Sequence, residues 1–291
     1  MNCLNKWRLI DSGQCDAAYN MALDEAIAIS VRNNLSPPTL RFYGWNQPSV
    51  TLGAFQKIDD IDFDYCLKNN LPLVRRTTGG RGILHWNELT YSFSARTEGE
   101  FSKGLLETYK RLSEPFENAF KKLGLNITKK ITRERGRNIA HNPMCFSSLS
   151  YGEISLNGSK IIGSAQKRWQ DGFLQQGSIP YSIDYERVSK VFKIRNLSLE
   201  YPTNKLYCLE ELISNFDKER FKIILRLAFE ETFNIILIES KTSHQEELLA
   251  QELCLKKYQN PLWTIEGMRN KQSYDNNEIP KTALSVLYMP E

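Results

Sequence analysis

Asn157-Gly158, set between YGEISL (151–156) and KIIGSAQ (160–166), is a strong short-range hairpin signal, because both residues tolerate positive φ. It turns one strand back on the other. Other strand-like runs are also joined by short breakers. TLRFYGW (39–45) and SVTLGAF (49–55) are separated by Asn46, Gln47 and Pro48, and PLVRR (72–76) runs through TTGGRG toward ELTYSFSA (88–95). GFLQQGSI (172–179) supplies a further strand, and LNIT returns to strand character after Gly124. Helical patterns lie between and after these segments. DAAYNMALDEAIAIS (16–30) places Ala18, Ala22, Ala26 and Ile29 on one face behind a capping Asp16, residues 58–70 read as a short helix, and 102–123 as a longer one closed by Gly124. From Tyr207 onward the pattern is helical, clearest in ERFKIILRLAFEETFN and HQEELLAQELCLKKY. This order predicts one α+β domain over 1–268, with mixed, mainly antiparallel sheets flanked by helices, and a polar tail over 269–291.

A hydrophobic content of 41% with 25% charged residues suits a chain that buries a substantial core. The sequence has no run of about 18 apolar residues and opens without a secretory pattern, which predicts a cytoplasmic protein away from the membrane. Cysteines at 3, 15, 66, 145, 208 and 254 form no C-x-x-C pair and no cluster with His85, His141 and His244, so neither zinc nor a disulfide framework is expected. A net charge of +4 is too small to argue for nucleic acid.

Two stretches have the composition of a reactive site. RRTTGGRGILH (75–85) sets Arg75, Arg76 and Arg81 around a Gly-Gly pair, where exposed N–H groups can meet a carbonyl or phosphate. It matches neither a Walker loop nor a dinucleotide fingerprint, and on composition it reads equally well as a strand connection with solvated arginines. Cys145, in NPMCFSSLS, follows Pro143 and precedes three serines, which places a thiol on an accessible loop rather than in a core. To react it needs a cation or a base nearby. Lys160, entering an apolar run beside the small residues Gly163, Ser164 and Ala165, is one candidate, and His141 is an equal one. His85 ends the glycine segment and is a hydrogen-bond donor for the same pocket. KKITRERGR (129–137), with five basic residues against one acidic, reads as a solvated loop.

Taken in order, these segments resemble the lipoate/biotin protein ligase superfamily. RRTTGGRGILHWNELTYSFSA is similar to its R-R-x-[ST]-G-G-[RG]-x-[VI]-x-H segment, and GSKIIGSAQKR to its G-x-K-x-x-G-S-A-[QR] strand; the likeness spans residues 5–265. The superfamily holds ATP-dependent lipoate ligases and cysteine-dependent acyltransferases. NPMCFSS stands where the ligases carry a G-R-N-D-like run, and the chain lacks the added carboxy-terminal domain of many ligases. Both departures point toward the octanoyltransferases of the Gram-positive type.

The resemblance implies a catalytic-domain fold of that superfamily and a reaction without nucleotide, metal or other cofactor. Cys145 would take octanoyl from octanoyl-acyl-carrier protein as a thioester and pass it to a lysine of a lipoyl domain or of the glycine-cleavage H protein. Lys160 would activate the thiol and accept the amine proton. Arg76, Thr78, Gly79, Gly80, Arg81 and His85 would line the acyl pocket together with Gly163, Ser164 and Ala165. Trp86 departs from the small acidic or polar residue of relatives. The competing expectations are an amidotransferase moving octanoyl from H protein, an ATP-dependent lipoate ligase, and a non-catalytic binder of lipoyl domains or nucleic acid. A monomer is the default assembly.

Overall fold

The computed structural model describes residues 4–125, 127–129, 154–156, 159–193 and 207–267. Cys145, His141, Asn157-Gly158, most of the basic run 129–137 and the tail from 269 lie outside these described residues.

The strands are β1 (Asn5–Cys15), β2 (Thr39–Trp45), β3 (Ser49–Leu52), β4 (Leu73–Arg75), β5 (Ile83–His85), β6 (Glu88–Arg96), β7 (Thr128–Lys129), β8 (Ile154–Leu156), β9 (Ser159–Lys160), β10 (Gly163–Arg168), β11 (Gly172–Pro180) and β12 (Ile235–Glu239). Six of them form one sheet in the order β10-β11-β6-β2-β1-β12. The pairs β10·β11, β11·β6 and β2·β6 are antiparallel, whereas β1 runs parallel to both β2 and β12. A smaller sheet has the order β4-β3-β5 and a third the order β7-β8-β9. The fold is therefore α+β with mixed sheets, as the turn signals predict.

Alternation along β6 decides what each face carries. Leu89, Tyr91 and Phe93 enter an aromatic core with Phe116 and Phe120 of α3 (Leu105–Lys122) and Phe229 of the helix Lys218–Phe233. The intervening Thr90 and Ser92 are also buried and belong to the opposite face. That face is covered by α1 (Ala17–Arg32), whose Ala22, Ala26 and Ala28 are fully buried and let it lie close to the sheet. A layer of polar side chains is thus sealed between helix and sheet, where each must find a partner.

Several expectations need correction. KIIGSAQ is not one strand: β9 ends at Lys160, Ile161 and Ile162 turn into the aromatic core, and β10 begins at Gly163 in a different sheet. The carboxy-terminal part is not wholly helical, because β12 follows the left-handed Asn234 (φ 52°) and pairs with β1 from Asn5↔Ile235 to Leu9↔Glu239. No local pattern marks β1 or β12 strongly, since their pairing spans most of the chain. Residues 58–70 divide into a 3-10 turn at Ile58–Asp60 and a helix at Phe63–Lys68. Asp16 does precede α1, yet its carboxylate accepts from Asn46 Nδ2 at 2.6 Å instead of capping the helix.

Candidate active site

The glycine loop is shaped from behind by two buried arginines. Arg75 Nη1 donates to the carbonyls of Gly53 and Gln56, each at 2.7 Å, and its Nη2 donates to Thr264 O at 2.7 Å. Trp263 Nε1 returns a bond to Arg75 O at 2.8 Å. Arg75 therefore ties the helix Pro261–Glu266 to the β3 end, and its charge is committed to main-chain carbonyls rather than offered to a ligand. Arg76 donates through Nη2 to Gly79 O (2.8 Å) and Arg81 O (2.7 Å), through Nη1 to Thr51 Oγ1 (3.0 Å), and through Nε to Thr78 Oγ1 (3.1 Å). One guanidinium so fixes both ends of the turn.

Glycine is required here by space. Gly80 has φ +84°, and a Cβ on it would lie 2.9 Å from Arg76 Nη2. A Cβ on Gly53 would lie 2.0 Å from the Gly80 carbonyl oxygen. The loop rests directly on the backbone beneath it.

Between this loop, α1 and the β6, β10 and β11 strands lies a narrow, partly open cavity. Arg76, His85, Gly163, Ser164 and Ala165, five of the expected site residues, line it together, with Met21, Tyr43, Trp45 and Ile83 as apolar walls. His85 is buried and stacked on Trp45 at 4.1 Å. Its Nδ1 lies 2.7 Å from Glu88 Oε1 and its Nε2 2.8 Å from Thr51 Oγ1. A carboxylate only accepts, so Nδ1 carries a proton toward Glu88. With both nitrogens engaged, His85 serves as an organised wall. Burial pushes the Glu88 carboxyl upward, but the His85 charge and hydrogen bonds from His85, Thr90 and Ser178 outweigh it and hold the group below the usual range.

The other expected residues surround this cavity. Thr78 is fully buried behind the wall, and its hydroxyl lies between Arg76 Nε and Gln176 Oε1. Gly79 and Arg81 are half-buried, and their carbonyls accept from Arg76. Gly80 faces Ala165, 3.5 Å from a Cβ placed on the glycine. Ser164 Oγ meets Tyr91 OH at 2.9 Å.

Lys160 is 3% exposed and pairs across the ladder with Ser155, while Leu156 pairs with Ser159. That register leaves two residues for the connection, as the Asn157-Gly158 signal predicts. Lys160 ends β9 three positions before the cavity-lining Gly163. Its expected partner Cys145, and the alternative His141, lie outside the described residues.

Residue-type reasoning missed two members of this site. Asp24 is fully buried and accepts from Arg41 Nη1 (2.7 Å), Tyr43 OH (2.8 Å), Ser92 Oγ (2.6 Å) and Gln176 Nε2 (2.7 Å). Gln176 lines the cavity. The available signal was the Gln175-Gln176 pair inside the otherwise apolar GFLQQGSI, since two amides in a buried strand must be held by partners.

Residues 16–229 match the lipoyl protein ligase A/B catalytic domain. The chain is 35% identical over 272 residues to octanoyltransferase LipM of Geobacillus kaustophilus, covering 89% of this chain and 98% of that protein. It is 36% identical to octanoyltransferase LipM of Bacillus subtilis, with the same coverage of 89% and 98%. In fold it is similar to a lipoate-protein ligase A bound with ATP, with a TM-score of 0.74 at 24% identity over 89% of this chain and 98% of that one. A structure from an archaeal lipoylation system, described as a bi-partite lipoate protein ligase and its E2 lipoyl domain from Thermoplasma acidophilum, gives 0.73 at 24% identity, covering 90% of this chain and 96% of that one. The chain belongs to the lipoyl protein ligase A/B catalytic-domain family.

Proposed function

We propose that this chain is an octanoyltransferase of lipoate biosynthesis acting through a covalent thioester on Cys145, with residues 1–268 as its single catalytic domain. The observation that carries the reading is the likeness to the LipM octanoyltransferases along nine-tenths of the chain, with 35% identity and 89% coverage. The buried Lys160 supports it, standing three residues before the segment Gly163–Ala165 that lines the cavity.

The Cys145 thiolate attacks the carbonyl carbon of octanoyl-acyl-carrier protein. A C–S bond to the enzyme forms, the C–S bond to the carrier breaks, and the carrier thiolate leaves as it takes up the proton that Lys160 drew from the Cys145 thiol. In the second half-reaction the amine of a lysine on a lipoyl domain or H protein attacks the octanoyl-enzyme. A C–N bond forms, the C–S bond to Cys145 breaks, and the amine proton passes to the Lys160 and Cys145 pair. The octanoyl chain lies in the cavity between the glycine loop and Gly163–Ala165, out of water.

Incubation with octanoyl-acyl-carrier protein, without ATP or magnesium, should add one octanoyl group at Cys145, read by intact mass and removed by hydroxylamine. Transfer by Cys145→Ser, or an obligatory need for ATP, contradicts the mechanism. Octanoylated H protein as the sole donor tests donor choice in the same assay.

A further inference from the structure

Thr78 touches no part of the cavity surface, yet it belongs to a chain of hydrogen bonds that crosses the cavity wall from a cation to an anion. Arg76 Nε donates to Thr78 Oγ1 at 3.1 Å, Thr78 Oγ1 to Gln176 Oε1 at 2.8 Å, and Gln176 Nε2 to Asp24 at 2.7 Å. Chemistry fixes every direction. A guanidinium can only donate, so the Thr78 hydroxyl accepts from it and sends its single proton onward; a carboxylate can only accept, so the Gln176 amide turns its NH2 to Asp24 and its oxygen to Thr78. With opposite charges at the two ends, each bond polarises the next. Thr78 is fully buried and Gln176 is 6% exposed, so water does not substitute for either partner.

The chain joins two separate sheets. Thr78 belongs to the loop after β4, and Gln176 to β11 of the six-stranded sheet. The slot between these layers is lined by Arg76 and His85 on one side and by Gly163, Ala165 and Gln176 on the other. His85 and Glu88 tie the layers where β5 ends and the chain passes into β6. Thr78 and Gln176 hold the end beside Gly79 and Gly80.

We infer that Thr78 and Gln176 form a latch that sets the width of the acyl slot and thereby acyl-chain selectivity, Thr78 as a positioning residue and Gln176 as its anchor. This rests on the function proposed above. A closed slot wraps each methylene; a loosened one lets the loop lift from β10 and lose contact with the chain.

The test compares acylation of Cys145 by octanoyl and hexanoyl carrier-protein donors, below saturation, by intact mass. Two further methylenes in a close-fitting slot favour octanoyl by about 15-fold. In Thr78→Val, which keeps the shape and removes the hydroxyl, that preference should fall to about 4-fold or less, the worth of one methylene. Thr78→Ser, which retains the hydroxyl, should restore it. Gln176→Leu, which cuts the same bond from the other side, should reproduce the loss and covers the case in which Thr78→Val does not fold. A variant that is merely less stable slows both donors equally and leaves the ratio unchanged. An unchanged ratio in the folded variants overturns the latch while the proposed function stands; absence of acylation in the natural protein overturns both.

Discussion

Replacing Gly53 by alanine perturbs the site from beneath and can be worked through from distances. The new Cβ would sit 2.0 Å from Gly80 O, 2.8 Å from Gly80 C and 3.2 Å from Gly79 O. A tolerated carbon to carbonyl-oxygen contact is about 3.3 Å, so the two backbones must separate by about 1.3 Å. Gly53 is poorly placed to yield, because its carbonyl accepts from Arg75 Nη1 and its own N–H donates to Gln56 Oε1 at 3.3 Å. The glycine loop therefore moves, stretching the bonds that Arg76 and Thr78 make. Overpacking of this kind costs about 1–3 kcal/mol, which lowers the melting temperature by roughly 2–10 °C in a chain of this size. A displacement of about 1 Å near reacting groups costs on the order of 100-fold in rate. Cys145 acylation should fall by that order in Gly53→Ala protein that is still folded, as followed by circular dichroism and intact mass. Gly79→Ala is the steric contrast: a Cβ there meets nothing within 4 Å, and the melting temperature should shift by no more than about 2 °C. If Gly53→Ala acylates and melts like the natural protein, the close stacking of loop on strand does not govern the site.

Two more predictions concern charge. Arg8 and Glu246 form a buried two-bond pair, at 2.9 and 2.5 Å, that joins β1 to the helix His244–Leu253. Burial pushes the Glu246 carboxyl up, but bonds and charge from Arg8, with Ser243 and Ser36, outweigh this and hold it below the usual carboxylate range. A depressed carboxyl stabilises the fold above its unfolded value and loses that contribution as pH falls through the folded one. Glu246→Gln should cost about 3–5 kcal/mol near neutral pH, because Arg8 loses its counter-charge, with a penalty that shrinks in acid; thermal melts across pH check this, and a constant penalty refutes it. Lys160→Ala should slow octanoyl transfer by at least about 100-fold and move the iodoacetamide alkylation profile of Cys145 to higher pH. An unmoved profile removes Lys160 from thiol activation.

Local pattern carried much of the fold. Alternation in ELTYSFSA and GFLQQGSI, the helix over 16–30 and the glycine closing α3 at φ +79° are nearest-neighbour properties, and the structure has them close to where they were predicted. Strand pairing over long separations was not legible. β12 finds β1 across more than two hundred positions, and its alternation of buried Ile235 and Leu237 with exposed Ile236 and Ile238 is only five residues long.

For the site, sequence alone singled out the candidates, the glycine pair, Arg76, His85, Lys160 and the Gly163–Ala165 run, because backbone freedom, charge and small volume belong to residue types and their order. It also determined the family, through the order of those motifs. Tertiary structure decided which of them face the cavity and which support it. It turned Arg75 into a tie to the helix Pro261–Glu266, engaged both His85 nitrogens with Thr51 and Glu88, and placed Thr78 behind the wall. It also brought Asp24 and Gln176, 152 positions apart, to a 2.7 Å contact. The reason is physical: a buried polar group must be satisfied wherever the fold carries it, and its partner comes from whichever strand or helix packs there, however distant in the chain.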